Sequence, residues 1–375
     1  MGASPTRYQS HQRLIQKNRG EKMRVLVMIH HLWRGGGTET HVLTLCSVLR
    51  RMGHDVTVYT AGGPWVSKAK SLGISVHLDP SMHTSPKKSA MRLRQFLARH
   101  RFDVIHAHDG PTVSVAVLAL RPVKRRPRLV FTVHGPYVGQ VPLKMAKQTA
   151  HTIIAVSPAL QRYARRFGSG KARITVIPNG IRIDVFRPVS KKLVRAAFKL
   201  PARAYVVGYA GRFTTEKAQL GRRVVGALRH FTEHYPNVYI LVAGRDSSRV
   251  IASGRQLKVL GHVDNMKMFY SACDVVIGTA RVAAESVSCA LPTLALGTAG
   301  YYGLITRRNF AQMVRTNFGD HGSIRPWTTS TLSTELRHAL SHREELRSEA
   351  RRTSQALRRT LDANHMVRRI LQTYH

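Results

Sequence analysis

The sequence predicts an α/β protein with two Rossmann-like domains, each built on a parallel sheet, the two sheets facing a common cleft. Three observations predict it. Short apolar runs rich in β-branched residues alternate with amphipathic stretches along most of the chain. The alternation breaks once, over 179–204, where Pro188 and Pro201 flank a basic helix-like stretch, and then resumes. The chain has 375 residues and is 43% hydrophobic, enough for two cores, and this composition excludes a disordered basic tail protein.

In order, 23–30 reads MRVLVMIH, the pattern of a strand buried on both faces. Gly35, Gly36 and Gly37 make a turn, and 39–52 then sets Val42, Leu45, Cys46 and Leu49 on one helical face. Strands are expected at 55–59 and 76–78, a helix at 87–100, a strand at 103–107 and a helix at 112–120. Strands at 128–133 and 152–156, a helix at 157–167 capped by Ser157, and a strand at 174–177 complete the first half. The second half repeats the rhythm, with strands at 205–209, 238–242, 259–260, 275–277 and 293–295. Helices at 221–235, 266–272 and 282–289 lie between them, and 331–375 is helical and Arg-rich with no strand partner. Residues 1–22 carry Arg7, Arg13, Lys17 and Arg19 but no apolar stretch, so a disordered basic extension is expected rather than a signal peptide, with Met23 as an alternative start.

Lys and Arg number 60 against 19 Asp and Glu, a formal charge of +41. Such a charge selects anionic partners: nucleic acid, acidic lipid headgroups or phosphorylated substrates. No recognition helix or basic-aromatic motif stands out, which ranks nucleic acid last. Cys46, Cys273 and Cys289 have apolar neighbours and no metal-ligand spacing, the pattern of buried thiols in a reducing compartment. The longest nearly apolar run, 113–120, is far short of the roughly 20 residues that span a bilayer.

Open α/β sheets bind ligands beyond the carboxyl ends of their strands, so the loops there are the candidate sites. After the first strand, Gly35-Gly36-Gly37 precedes a helix start whose free amides suit a phosphate. It is neither a spaced dinucleotide fingerprint nor a P-loop, and taken alone it serves equally as a structural turn. His106 and His108 sit two residues apart and so share a face; a metal pair there would need further ligands that are not evident. His134 ends the next strand beside Gly135, placed for polar contact with a substrate or for holding its loop. In the second half, Gly211 and Arg212 follow the strand YVVGY, with Lys217 shortly after, cations suited to a diphosphate. Arg281 and Glu285 open a helix; the carboxylate is either a dipole partner or an acceptor for ribose hydroxyls.

The order GGGTETHV, DVIHAH, TVHG, IIAVSPAL, VIPNGIRIDVF, GYAGRFTTEK, ILVAGRD, GHV and AAESVSCALPTLA resembles the family 4 retaining glycosyltransferases of GT-B fold, from about residue 23 to 320. The resemblance implies an acceptor domain over 23–188, a nucleotide-sugar donor domain over 189–358, and a last helix over 359–375 that returns to the first. It assigns donor contacts to Gly35, Gly36, Gly211, Arg212, Lys217, Val263, Arg281 and Glu285, and acceptor contacts to Gly37, His106 and His108. His134, Arg212 and Lys217 would be the catalytic residues, with His134 near the transferred sugar and the two cations on the departing diphosphate. It implies retention without a protein nucleophile, a nucleotide-diphosphate-sugar as substrate, and neither cofactor nor catalytic metal.

Three departures stand out. Such enzymes carry two glutamates eight positions apart, and the earlier position here is Ile277 in a segment that looks shortened. Ala218 follows Lys217 where glycine is usual, and Gly300-Tyr301-Tyr302-Gly303 replaces a Gly-Pro-Glu region. A catalytically weak or inactive nucleotide-sugar binder is therefore the first alternative, with a nucleotide-sugar epimerase and a nucleic-acid binder behind it. Acid-free basic stretches at 87–101 and 121–128 fall in the expected acceptor half and a third at 187–203 between the halves. They suit an anionic membrane surface or a lipid-linked acceptor, and a cytoplasmic enzyme peripheral at the inner face of the cell membrane.

Overall fold

The computed structural model describes residues 21–188, 190–214, 216–322 and 326–375; the basic extension expected over 1–22 lies, but for its last two residues, outside them. The first sheet contains β1 (Arg24–Met28), β2 (Asp55–Thr60), β3 (Ser75–Leu78), β4 (Val104–Ala107), β5 (Arg128–Val133), β6 (Thr152–Ala155) and β7 (Arg173–Val176). Its order is β3-β2-β1-β4-β5-β6-β7, all parallel. The second contains β8 (Tyr205–Ala210), β9 (Val238–Ala243), β10 (Leu257–Val259), β11 (Val275–Gly278), β12 (Thr293–Gly297) and β13 (Gly300–Leu304), in the order β10-β9-β8-β11-β12-β13. Its β12–β13 pair is antiparallel, with a bulge at Ala295/Leu296. Two intervening residues can join antiparallel strands but never parallel ones.

Period-2 alternation in β1 splits the first core. Leu26 and Met28 pack with the helix Gly110–Leu120, while Val25 and Val27 pack with the helix Gly37–Arg51. The first of these helices starts at a capping box, in which the Asp109 carboxylate accepts from the Thr112 amide. Four α-helices have no counterpart in the expected pattern, Val66–Ser71, Gln140–Thr149, Ser247–Val250 and Phe310–Arg315. Pro142 lies in the first turn of the second, where proline is harmless because its missing N–H has no intrahelical partner.

Between the sheets the helix Lys191–Ala197 is tied to the second domain by Asp274, whose carboxylate meets Lys191 Nζ and Arg195 Nη2 at 2.5 Å each and accepts from the Val206 amide at 2.8 Å. The chain then crosses back. Ile181 bridges Asp362, and the helix Ala363–Leu371 packs Ala363, Met366, Val367 and Ile370 into the core shared by β1 and the helix Gly37–Arg51. In both sheets the strand order reverses beside the first strand, between β1 and β4 and between β8 and β11. The loops after those four strands meet across one cleft of about 780 Å³, the size of a cofactor or nucleotide site.

Candidate active site

On the first-domain wall, the Asp109 carboxylate accepts from the His30 amide at 2.7 Å and from the Thr112 amide at 2.9 Å, locking the loops after β1 and β4 together. Gly36 is the N-cap of the helix Gly37–Arg51 and offers no side chain to its first amides, so that end of the helix faces the cleft as an anion-binding terminus. Gly35, at φ +71°, lies against His262 of the opposite domain, 3.0 Å from where its Cβ would stand. Glu39 folds back on Gly36 and lines the cleft. Burial pushes its carboxyl up, against the pull of Arg212 and Arg245 across the cleft.

Behind this wall lies a stack of imidazoles. His106 and His108 stack with ring centroids 4.2 Å apart and planes 30° from parallel, on the one face that their two-residue spacing gives them. His108 Nδ1 and His134 Nε2 are 3.1 Å apart, and His41 Nδ1 meets Asn179 Oδ1 at 3.0 Å. Burial drives all four well below the ordinary histidine range, His41 to about 4. They are neutral at neutral pH, able to donate a hydrogen bond without adding charge. His108 and His134 reach the cleft; His106 does not. Its Nδ1 is bonded to Tyr374 and its Nε2 to Thr132, so the acceptor contact expected of His106 gives way to a supporting role beneath His108.

The second-domain wall is built on close backbone approach. At Gly244, φ +146°, a Cβ would sit 1.7 Å from the Gly211 carbonyl oxygen, so only glycine lets the loops after β8 and β9 come together there. The Phe213 amide then donates to the Arg245 carbonyl at 3.0 Å. Arg212, Lys217 and Arg245 converge on the cleft, with Lys217 Nζ 3.9 Å from Asp320 Oδ1. Val263 lines the same wall, with Lys68 and Trp65 of the first domain nearby; Trp65 Nε1 reaches Asp264 at 3.4 Å across the cleft.

At the far corner, Glu285 accepts from the Tyr270 hydroxyl at 2.9 Å and pairs with Arg281 Nε at 2.7 Å. Burial raises its carboxyl, and Arg281 opposes the shift. Ile277 is a fully buried residue of β11, one residue before Gly278 ends the strand, and the helix Ala280–Ser288 begins two residues later. No loop exists between Gly278 and Ala280 to carry an earlier glutamate. Position 277 is therefore core rather than a replaced site residue, and the cation of Arg281 stands at the corner instead.

Every expected donor residue, with Gly37, His108 and His134, lines this one cleft. Glu39 and Arg245 were not among the expected contacts. Their signal was position: Glu39 opens a helix behind a glycine turn, and Arg245 follows a strand end. In so basic a chain, one more arginine does not stand out.

Residues 35–185 match the profile of Glycosyltransferase Family 4. The phosphatidyl-myo-inositol mannosyltransferase of Mycobacterium tuberculosis is 26% identical over 251 residues, covering 61% of this chain and 63% of that protein. The match thus spans less than two thirds of that relative's length. Among solved structures, a glycosyltransferase from Rickettsia africae aligns with a TM-score of 0.75 at 17% identity, covering 95% of this chain and 98% of its own. The Anabaena HepE protein in complex with UDP and glucose aligns at 0.73 and 19% identity, covering 94% and 99%. Likeness at these identities establishes the fold.

Proposed function

We propose that this chain, whose residues 35–185 match the Glycosyltransferase Family 4 profile and whose fold is GT-B, is a glycosyltransferase of that family that moves a hexose from a nucleotide-diphosphate donor to a lipid-linked or other anionic envelope acceptor, with retention of configuration. The observation that carries this reading is the convergence of Arg212 and Lys217 on the same cleft as the uncapped helix start at Gly36–Gly37. Together they supply fixed positive charge and a helix N-terminus where a diphosphate would depart. In the proposed step the bond from the anomeric carbon to the diphosphate oxygen breaks with its electron pair going to phosphate. The acceptor hydroxyl oxygen bonds that carbon on the same face, and its proton passes to the departing diphosphate. No metal is needed, because Arg212 and Lys217 take the developing charge. His134, neutral and at the cleft floor, would donate to a sugar hydroxyl, and Glu285 would accept from the ribose.

The lipid-linked acceptor is supported by the mannosyltransferase relative's name and by the basic helix Pro86–Arg99, whose Lys87, Lys88, Arg92 and Arg94 are exposed beside Met91, itself 59% exposed. Such a face fits a peripheral protein at the inner membrane surface. Among the described residues no helix is long and apolar enough to cross a membrane. The test is donor-dependent transfer lost in Arg212→Ala and Lys217→Ala. Failure of the purified protein to bind any common UDP- or GDP-sugar would remove the reading.

One observation favours a second reading. The Arg281–Glu285 pair fills the ribose corner, and the loop for an earlier glutamate does not exist. A protein that binds nucleotide-sugars without turning them over fits this, and binding without transfer across an acceptor panel would establish it.

A further inference from the structure

We propose that His30, His31 and His83 form a binding site for one divalent transition-metal ion of the zinc type at the edge of the first-domain wall of the cleft, which His30 and His31 line and His83 does not. His30 and His31 follow β1, and His83 ends the 3-10 turn Pro80–His83 after β3. One nitrogen of each lies within 4.8 Å of the others, and the ring centroids are 4.4–5.2 Å apart. A tetrahedral site with bonds of about 2.0–2.1 Å holds its nitrogens about 3.3 Å apart. Rotation of the exposed His83 side chain supplies the closure.

Two buried nitrogens mark these rings as ligands. His30 Nε2 and His31 Nδ1 are both buried without a hydrogen-bond partner, whereas buried polar atoms are nearly always paired. Imidazole donors select zinc, nickel or copper over magnesium or calcium. Because His83 is exposed, a coordination position stays open for water or for an anionic oxygen of an acceptor. The other histidine cluster, His41, His108 and His134, is as tight and also holds unpartnered nitrogens on His41 and His108, but it is almost wholly buried and His108 and His134 already pair with each other. The positive charge of Arg281 bears on His41 there, which opposes a cation.

The test is calorimetric titration of the full chain with zinc chloride, in parallel with His83→Ala, His31→Ala and His134→Ala. One equivalent bound by the parent and by His134→Ala, with affinity at least tenfold weaker in His83→Ala and His31→Ala, is the expected result. His83 is exposed, so its variant keeps the fold even where His31→Ala does not. No binding, binding unchanged in His83→Ala, or binding lost in His134→Ala overturns the proposal. Donor binding followed by melting temperature is expected to be the same in His83→Ala and parent, so the metal site and the transferase reading fail separately.

Discussion

Arg212 and Lys217 are asked to hold charge that develops only as the diphosphate leaves, so their loss should fall mainly on kcat. Removing one such preorganised donor costs about 100- to 1,000-fold. Arg212→Ala and Lys217→Ala should each show a drop of that order in steady-state transfer, with circular dichroism unchanged. Arg281 and Glu285 form a nearly buried pair, so Arg281→Ala strands a carboxylate that burial already pushes up. The expected stability loss is about 3 kcal/mol by urea denaturation; a loss near zero would show that the pair is not what holds the corner. The imidazole stack sets the pH response. His41, His106, His108 and His134 have folded values below the unfolded value of 6.5. The unfolded chain therefore binds protons that the folded chain refuses as pH falls below 6.5, so stability rises with pH through that window and is lost toward pH 4. Each fully shifted histidine contributes a slope of up to about 1.4 kcal/mol per pH unit. Urea midpoints measured at pH 7 and pH 5 should differ strongly; equal midpoints would mean that the stack takes up protons while folded.

At the scale of elements, the returning helix Ala363–Leu371 is a structural clasp as much as an ending. Ile370 is fully buried between β1 and the helix Gly37–Arg51, and Tyr374 reaches His106 beneath the cleft floor. Ile370→Ala should cost about 2–5 kcal/mol by denaturation, far more than an alanine at exposed Arg369. The parallel strands of both sheets were legible as short apolar runs bounded by polar turns, as in RVLVM and VYILVA. The helix Gln140–Thr149 was not, because Pro142 reads as a breaker when its place in the turn is unknown. The antiparallel strand β13 was not either, because GYYGL has two glycines and no alternation. Of the site, the loops were legible as strand ends. The ion pair at Glu285 and the withdrawal of His106 were not, since both depend on partners distant in sequence or set by a shortened turn.

For the whole molecule, the +41 charge is larger than any one site requires. A few cations serve the cleft, and the rest form surfaces such as the helix Pro86–Arg99. Each exposed Lys or Arg near an anionic bilayer is worth about 1 kcal/mol, screened by salt. The chain should co-sediment with acidic liposomes at low salt and release as salt rises. Lys87→Glu with Lys88→Glu should weaken that binding by at least tenfold, and equal binding to neutral vesicles would refute an electrostatic origin. The cleft between the domains is the centre of the account, and its occupant is the point to measure. Calorimetric titration of the full chain with UDP- and GDP-sugars, beside Arg212→Ala, tests it most directly. Saturable binding of one equivalent of a nucleotide-sugar, at least tenfold weaker in the variant, is the expected result. Absence of binding for every such donor, or binding indifferent to Arg212, would contradict it.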